Sequence, residues 1–235
     1  MNMTGSRRLS APRGTKLKAL LAGGAVLGLG TTVTLAAWTD TEWVFAGNTA
    51  GDGPGLGTSL FEVEQNVTAP YDETGFAQSE TNPGQAMTFG LAALDLTPGT
   101  SVYAPVALRT VTSSIAGTLS LEPAVPADGI TVSDTDQALW GALELRVALA
   151  VGDGTSGTVC NATTFADPAD VVADGALDGT GVDDVVSLDA DSGNTGFFCF
   201  EITLPEAPTL PAGTALDDLQ GRSAAPAWNF SSVSS

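Results

Sequence analysis

Apolar and polar side chains alternate with a period of two over most of this chain, in short runs broken by Gly and Pro. Residues 61–67 (Phe-Glu-Val-Glu-Gln-Asn-Val) predict a half-buried strand. Residues 70–85 read as a polar loop, and 86–96 as an apolar run with Met87, Phe89 and Leu91 in one register. Thr97-Pro98-Gly99-Thr100 has the Pro and Gly that a type II turn prefers at its centre. Val102, Ala104, Val106 and Leu108 alternate again. Pro105 inside that run predicts an edge strand or a bulge, because proline has no N–H for a central ladder. Short strands are expected at 118–121 and 130–132, separated by Pro123, Pro126 and Asp128-Gly129.

The cleanest alternation is 143–151, with Leu143, Leu145, Val147, Leu149 and Val151 on one face. Residues 197–204 set Phe198, Phe200, Ile202 and Leu204 opposite Cys199, Glu201 and Thr203. Residues 216–220 predict a helical turn and 227–231 a final strand. Many short strands, frequent turns and little helical periodicity predict an all-β, antiparallel β-sandwich in one domain without repeats.

The first 37 residues break this pattern. Residues 1–18 are basic, 19–35 are apolar, and Leu35-Ala36-Ala37 ends the segment with small residues. This is the grammar of a helical signal peptide, cleaved between Ala37 and Trp38. The alternative is a permanent membrane anchor, since the apolar run with its flanks is about 20 residues. Gly23, Gly24, Gly28 and Gly30 favour cleavage. Arg7-Arg8 raises a twin-arginine route, which Leu9 and Ser10 fit poorly.

Directly after the cut lies Trp38-Thr39-Asp40-Thr41-Glu42-Trp43-Val44-Phe45. As a strand it places Thr39, Thr41, Trp43 and Phe45 on one face, with Glu42 and Val44 on the other. The breaker-rich stretch 47–57, with Asp52-Gly53-Pro54-Gly55, reads as a flexible hinge. Three regions follow: a signal peptide (1–37), a tethered aromatic strand with its Gly/Pro linker (38–57), and the sandwich (58–235). Trp38, Trp43 and Phe45 also have an ordinary alternative, folding back into their own core.

Charge narrows the partners. Five of the eight basic residues precede residue 19, leaving Arg109, Arg146 and Arg222 to face all 27 acidic ones. So acidic a surface repels nucleic acid and anionic lipid. The absence of His removes the commonest general base and transition-metal ligand. A Ser–His triad is impossible, a Ser–Lys dyad lacks a Lys beyond residue 18, and the His-dependent zinc-protease signature is absent. A carboxylate pair is the one catalytic arrangement left open, so no catalytic residue is assigned.

The segment 167–191 carries eight Asp and reads as an acidic loop. Its carboxylates suit Ca2+, with Asp183, Asp184, Asp189 and Asp191 as candidate ligands. Asp189-Ala190-Asp191-Ser192-Gly193 is a fragment of a calcium loop without the closing bidentate Glu, which favours a plain solvated loop. No other cofactor is expected. Cys160 and Cys199, the only cysteines, predict a disulfide if the chain is exported, or two buried thiols if it is not. Asn66, Asn161 and Asn229 begin glycosylation sequons, a motif that recurs by chance.

The junction Leu35-Ala36-Ala37-Trp38-Thr39-Asp40, followed by Trp43-Val44-Phe45-Ala46-Gly47, resembles the TasA/camelysin family of exported matrix proteins. That family carries a signal peptide cut by a dedicated peptidase of the SipW type. Its Phe-x-x-Gly strand end is one residue longer than Phe45-Ala46-Gly47. Leu94-Asp95-Leu96-Thr97-Pro98-Gly99-Thr100, residues 102–109 and residues 115–121 are similar to the family's Leu-x-Pro-Gly turn and next two strands; Trp228-Asn229-Phe230 is similar to its last strand. The long linker at 51–57 and the acidity depart from the family.

The resemblance implies a jelly-roll sandwich that polymerises into extracellular biofilm-matrix fibres by β-strand addition. The donor would be 38–48, with Trp38, Trp43, Val44 and Phe45 as the assembly strand. The expected partners are copies of this chain or related matrix subunits, and the signal peptidase. The protein is expected to be secreted, non-enzymatic and not stably inserted in a membrane after processing. The metalloprotease activity described for the camelysin branch finds no basis here without His. A monomeric surface binding domain or adhesin whose first strand completes its own sheet is the alternative function, and a carboxylate-based secreted hydrolase a third.

Overall fold

The computed structural model describes residues 40–155, 157 and 159–235. The signal peptide, the Ala37–Trp38 junction and Trp38 itself lie outside the described residues. The chain divides into two compact units, 1–57 and 58–235.

The second unit is all-β and antiparallel. Its strands are β1 (Val63–Asn66), β2 (Thr100–Thr110), β3 (Gly117–Leu121), β4 (Val125–Pro126), β5 (Glu144–Gly152), β6 (Val171–Ala176), β7 (Val182–Leu188), β8 (Thr195–Leu204), β9 (Pro226–Ala227) and β10 (Phe230–Ser234). One sheet has the order β1-β2-β8-β5-β6, a second β10-β3-β7, and β4 and β9 form a two-stranded ribbon. A single α-helical turn, α1 (Ala138–Ala142), leads into β5.

Alternation builds the core. Val102 and Val106 of β2, Leu145 and Val147 of β5, and Phe198, Phe200, Ile202 and Leu204 of β8 share one apolar cluster with Leu119 and Leu121 of β3 and Val186 and Leu188 of β7. The two sheets therefore bury facing sides against each other. Phe198 and Phe200 are almost fully buried; side chains of this size contribute about 1.5–3 kcal/mol each. Trp228 and Phe230 extend the cluster, with ring centroids 4.8 Å from Phe200 and 4.8 Å from Phe198 respectively.

The odd-numbered positions of β8 face the other way and are covered too. Tyr71, Phe76, Ala107 and Phe197 make one small cluster there. Ala148, Phe165 and Cys199 make another, with Tyr103, Cys160 and Val171 against it. This is why β8 is buried on both faces. The β5–β6 connection lies over this face and is fastened by the Cys160–Cys199 disulfide, Cα–Cα 5.2 Å.

Several expectations hold. The turn at Gly99 has φ +82°, with Thr100 N–H donating to Thr97 O. The helical turn near 216 is a 3-10 turn at Leu216–Leu219. Pro105 does sit at a local edge: β2 pairs with β8 from Thr100 to Leu108, but β1 reaches only Ala107–Thr110. Others are corrected. The stretch 167–191 contains β6 and β7, because apolar residues recur at strand spacing there: Val186 and Leu188 are buried in the core while Ser187 between them is exposed. Residues 130–132 are not a strand; Ile130 and Val132 are half-exposed beside Pro126 and Trp140. The predicted last strand is split into β9 and β10 by Trp228-Asn229. Residues 86–96 do not pair as a strand. Met87 and Phe89 pack on the core, then Gly90 at φ +79° and a 3-10 turn (Leu91–Leu94) turn Leu91 and Leu94 outward.

Candidate functional site

The first unit is described from Asp40. Residues 40–45 make no main-chain to main-chain hydrogen bond among the described residues, and Thr41 N–H donates to the Asp40 side chain at 2.9 Å. Trp43, Val44 and Phe45 are 89, 95 and 73 % exposed, three consecutive apolar side chains turned to solvent. Scattered exposed apolar residues are ordinary, whereas a contiguous run points to a partner.

The stretch read as a flexible hinge is a closed loop. Gly47 bridges Pro54, Asn48 N–H donates to Gly53 O at 3.1 Å, and Gly55 N–H donates to Ala46 O at 3.0 Å. The Asn48 side chain organises it. Its Oδ1 accepts from Gly51 N–H at 2.8 Å and its Nδ2 donates to Asp52 Oδ1 at 3.2 Å, as an Asx turn does. Glycine is required at 55, where a Cβ would stand 2.4 Å from Gly47 O. The strand thus ends on a compact knot, and that knot depends on side-chain chemistry that Gly/Pro counting does not register.

The four candidate calcium ligands do not converge. Asp183 and Asp184 lie at one end of β7, in a bulge where Asp184 takes φ +49° and its N–H donates to Ser120 Oγ. Asp189 and Asp191 lie past the other end, five residues on, which is about 17 Å along a strand. Asp191 Oδ1 accepts from Ser113 N–H at 2.8 Å and so serves a turn. Among the described residues no three metal-ligating side chains cluster. Two cavities among the described residues bear on the remaining acids. One of about 380 Å³ lies by Phe197, with Asp167 and Asp170 on its wall, but Asp167 is engaged in capping Ala169 N–H. The other, about 280 Å³, is lined by Ile130, Val132, Trp140 and Asp134. Asp134 holds Leu139 and Trp140 N–H and pairs with Arg222 at 3.0 Å.

Titration of the remaining groups reflects packing. Burial pushes Tyr71 up to about 12. Burial, then the Glu201 carboxylate bonded to its hydroxyl at 2.8 Å, raises Tyr103. Arg146 is raised by its hydrogen bond to the same Glu201, at 2.5 Å. The Thr74 hydroxyl holds exposed Asp72 below the usual carboxylate range. The sequence had shown none of these pairings. Apart from Tyr71 and Asp72, their signal was the polar residues Tyr103, Arg146 and Glu201 on one face of β2, β5 and β8, which meet only once register is known.

No protein-family model matches this chain, and no curated protein matches it in sequence. Among the described residues no helix is long and apolar enough to cross a membrane. The disulfide fits an oxidising compartment.

Proposed function

We propose that this protein is a secreted, non-enzymatic structural subunit that forms or caps extracellular matrix fibres by donating its N-terminal strand to a neighbouring copy. The observation that carries this reading is the exposed Trp43-Val44-Phe45, unpaired among the described residues. Strand addition needs a donor with free main-chain groups and alternating anchors, and this segment has both. A head-to-tail contact of that kind propagates into open filaments. The jelly-roll form of the sandwich belongs to the same reading, supported by two antiparallel sheets closing on one core. Signal peptidase cleavage at Ala37–Trp38 would free the donor, and export agrees with the disulfide.

The test is electron microscopy of the chain beginning at Trp38. Filaments are expected from it and a soluble monomer from the same chain lacking 38–48. Equal polymerisation of both would overturn donor-strand assembly. A concentration-independent monomer with Trp43 shielded from solvent would favour the binding-domain alternative instead.

A further inference from the structure

We propose that the unpaired side of β2 at residues 100–106 is the acceptor for residues 40–45 of a second copy, and that residues 85–90 hold its place in the free subunit. This rests on the fibre reading above and supplies the receiving site it lacks.

The acceptor follows from register. Val111 N–H donates to Glu62 O alongside β1, so the odd-numbered residues of β2 turn their main-chain groups to that side. β1 ends opposite Ala107. Among the described residues, Ser101, Tyr103 and Pro105 therefore face a side with no strand on it. Pro105 offers only its carbonyl, which blunts casual edge pairing while leaving Ser101 and Tyr103 able to bond on both groups.

The cover over this part of the core is of an unusual kind. Met87 and Phe89 pack against the apolar cluster, Phe89 lying 6.4 Å from Trp228 between ring centroids, and Trp228 lies 4.8 Å from Phe200, which pairs with Ala104 of β2. Yet residues 78–89 make no main-chain hydrogen bond with any described residue. Trp228 Nε1, in the same neighbourhood, is buried without a partner. The cover supplies side chains but no ladder, and a true strand would supply both.

The donor matches it. Trp43 and Phe45 repeat the two-residue spacing of Met87 and Phe89 with larger side chains. Six extended residues at 40–45 reach about 20 Å, close to the roughly 23 Å of 100–106. Exchange replaces an unbonded cover by one that adds main-chain bonds, so its direction is set by the ladder.

The experiment compares monomer and filament of the chain beginning at Trp38, by amide hydrogen exchange and hydroxyl-radical footprinting. Filaments are expected to protect the Ser101 and Tyr103 amides and to expose Met87 and Phe89 to oxidation. In parallel, Phe89→Ser should speed assembly and Phe45→Ser slow it, each by about tenfold or more. The measurements on the unaltered chain stand even if Phe89→Ser fails to fold. Filaments in which Ser101 and Tyr103 exchange as in the monomer would overturn the acceptor and leave the fibre reading intact. Absence of filaments from the unaltered chain would overturn the fibre reading itself. Protection of Ser101 and Tyr103 in a monomer at every concentration would overturn a second copy as the occupant.

Discussion

Three arginines carry all the positive charge of the described chain, and each is engaged inside the fold. Arg109 pairs with Glu64 at 2.7 Å and Glu73 at 2.6 Å and stacks 3.8 Å over Phe76. Arg222 pairs with Asp134. Arg146 joins Glu201, which is buried and also takes the Tyr103 hydroxyl. Removing Arg146 leaves a buried carboxylate with a single neutral donor, so Arg146→Met should cost about 2 kcal/mol in urea denaturation. The disulfide has a larger effect. Its loop spans 39 residues, and in the chain-entropy model Cys160→Ser with Cys199→Ser should cost about 4 kcal/mol, read from the same transition. Tyr71 gives a pH signature. Its folded value near 12 exceeds its unfolded value of 10, so the folded state holds the proton longer. Its contribution is complete below pH 10 and is lost as pH rises towards 12, by about 2–3 kcal/mol in all. Tyr71→Phe should flatten stability between pH 10 and 12, measured by denaturant midpoint across that range.

At the scale of elements, the long strands were legible because nothing interrupted their period. β5 and β8 carry unbroken alternation, and their centres are where the core is driest. β6 and β7 were hidden by charge: eight Asp in 25 residues read as solvated loop, although Val185-Val186-Ser187-Leu188 keeps a strand's rhythm. The two-residue interruption at Asp183-Asp184 breaks the count, since a bulge shifts the register between Leu119 and Leu121. Residues 130–132 show the converse, an apolar run too short to find a partner strand. The candidate assembly strand was legible as aromatic and exposed, but its closing loop was not, because closure needs the Asn48 side chain and the missing Cβ of Gly55. Gly55→Val should therefore open that loop and unprotect the Gly53–Asn48 hydrogen bond, measured by amide exchange. The melting temperature of the 58–235 unit should stay unchanged.

At the scale of the molecule, the balance is an acidic exterior around internal cations. Glu64, Glu73, Glu201 and Asp134 are neutralised by arginine, and among the described residues no other acid forms an ion pair. Copies of such a subunit repel one another at low ionic strength, with a screening length of about 30 Å at 0.01 M salt and 8 Å at 0.15 M. Assembly of the chain beginning at Trp38 should therefore accelerate over that range, followed by light scattering, and most steeply for contacts that bring Asp40 and Glu42 against another acidic surface. The internal placement of the arginines has a further consequence, for durability. Beyond residue 18 the chain has no lysine, so a trypsin-like protease must cut at Arg109, Arg146 or Arg222. The first two lie within β2 and β5, and Arg222 is tied to Asp134 and to the carbonyls of Asp218 and Thr135. The folded sandwich offers such enzymes no flexible basic site. Its lifetime among them is set by how often it unfolds, which would suit the extracellular role proposed above.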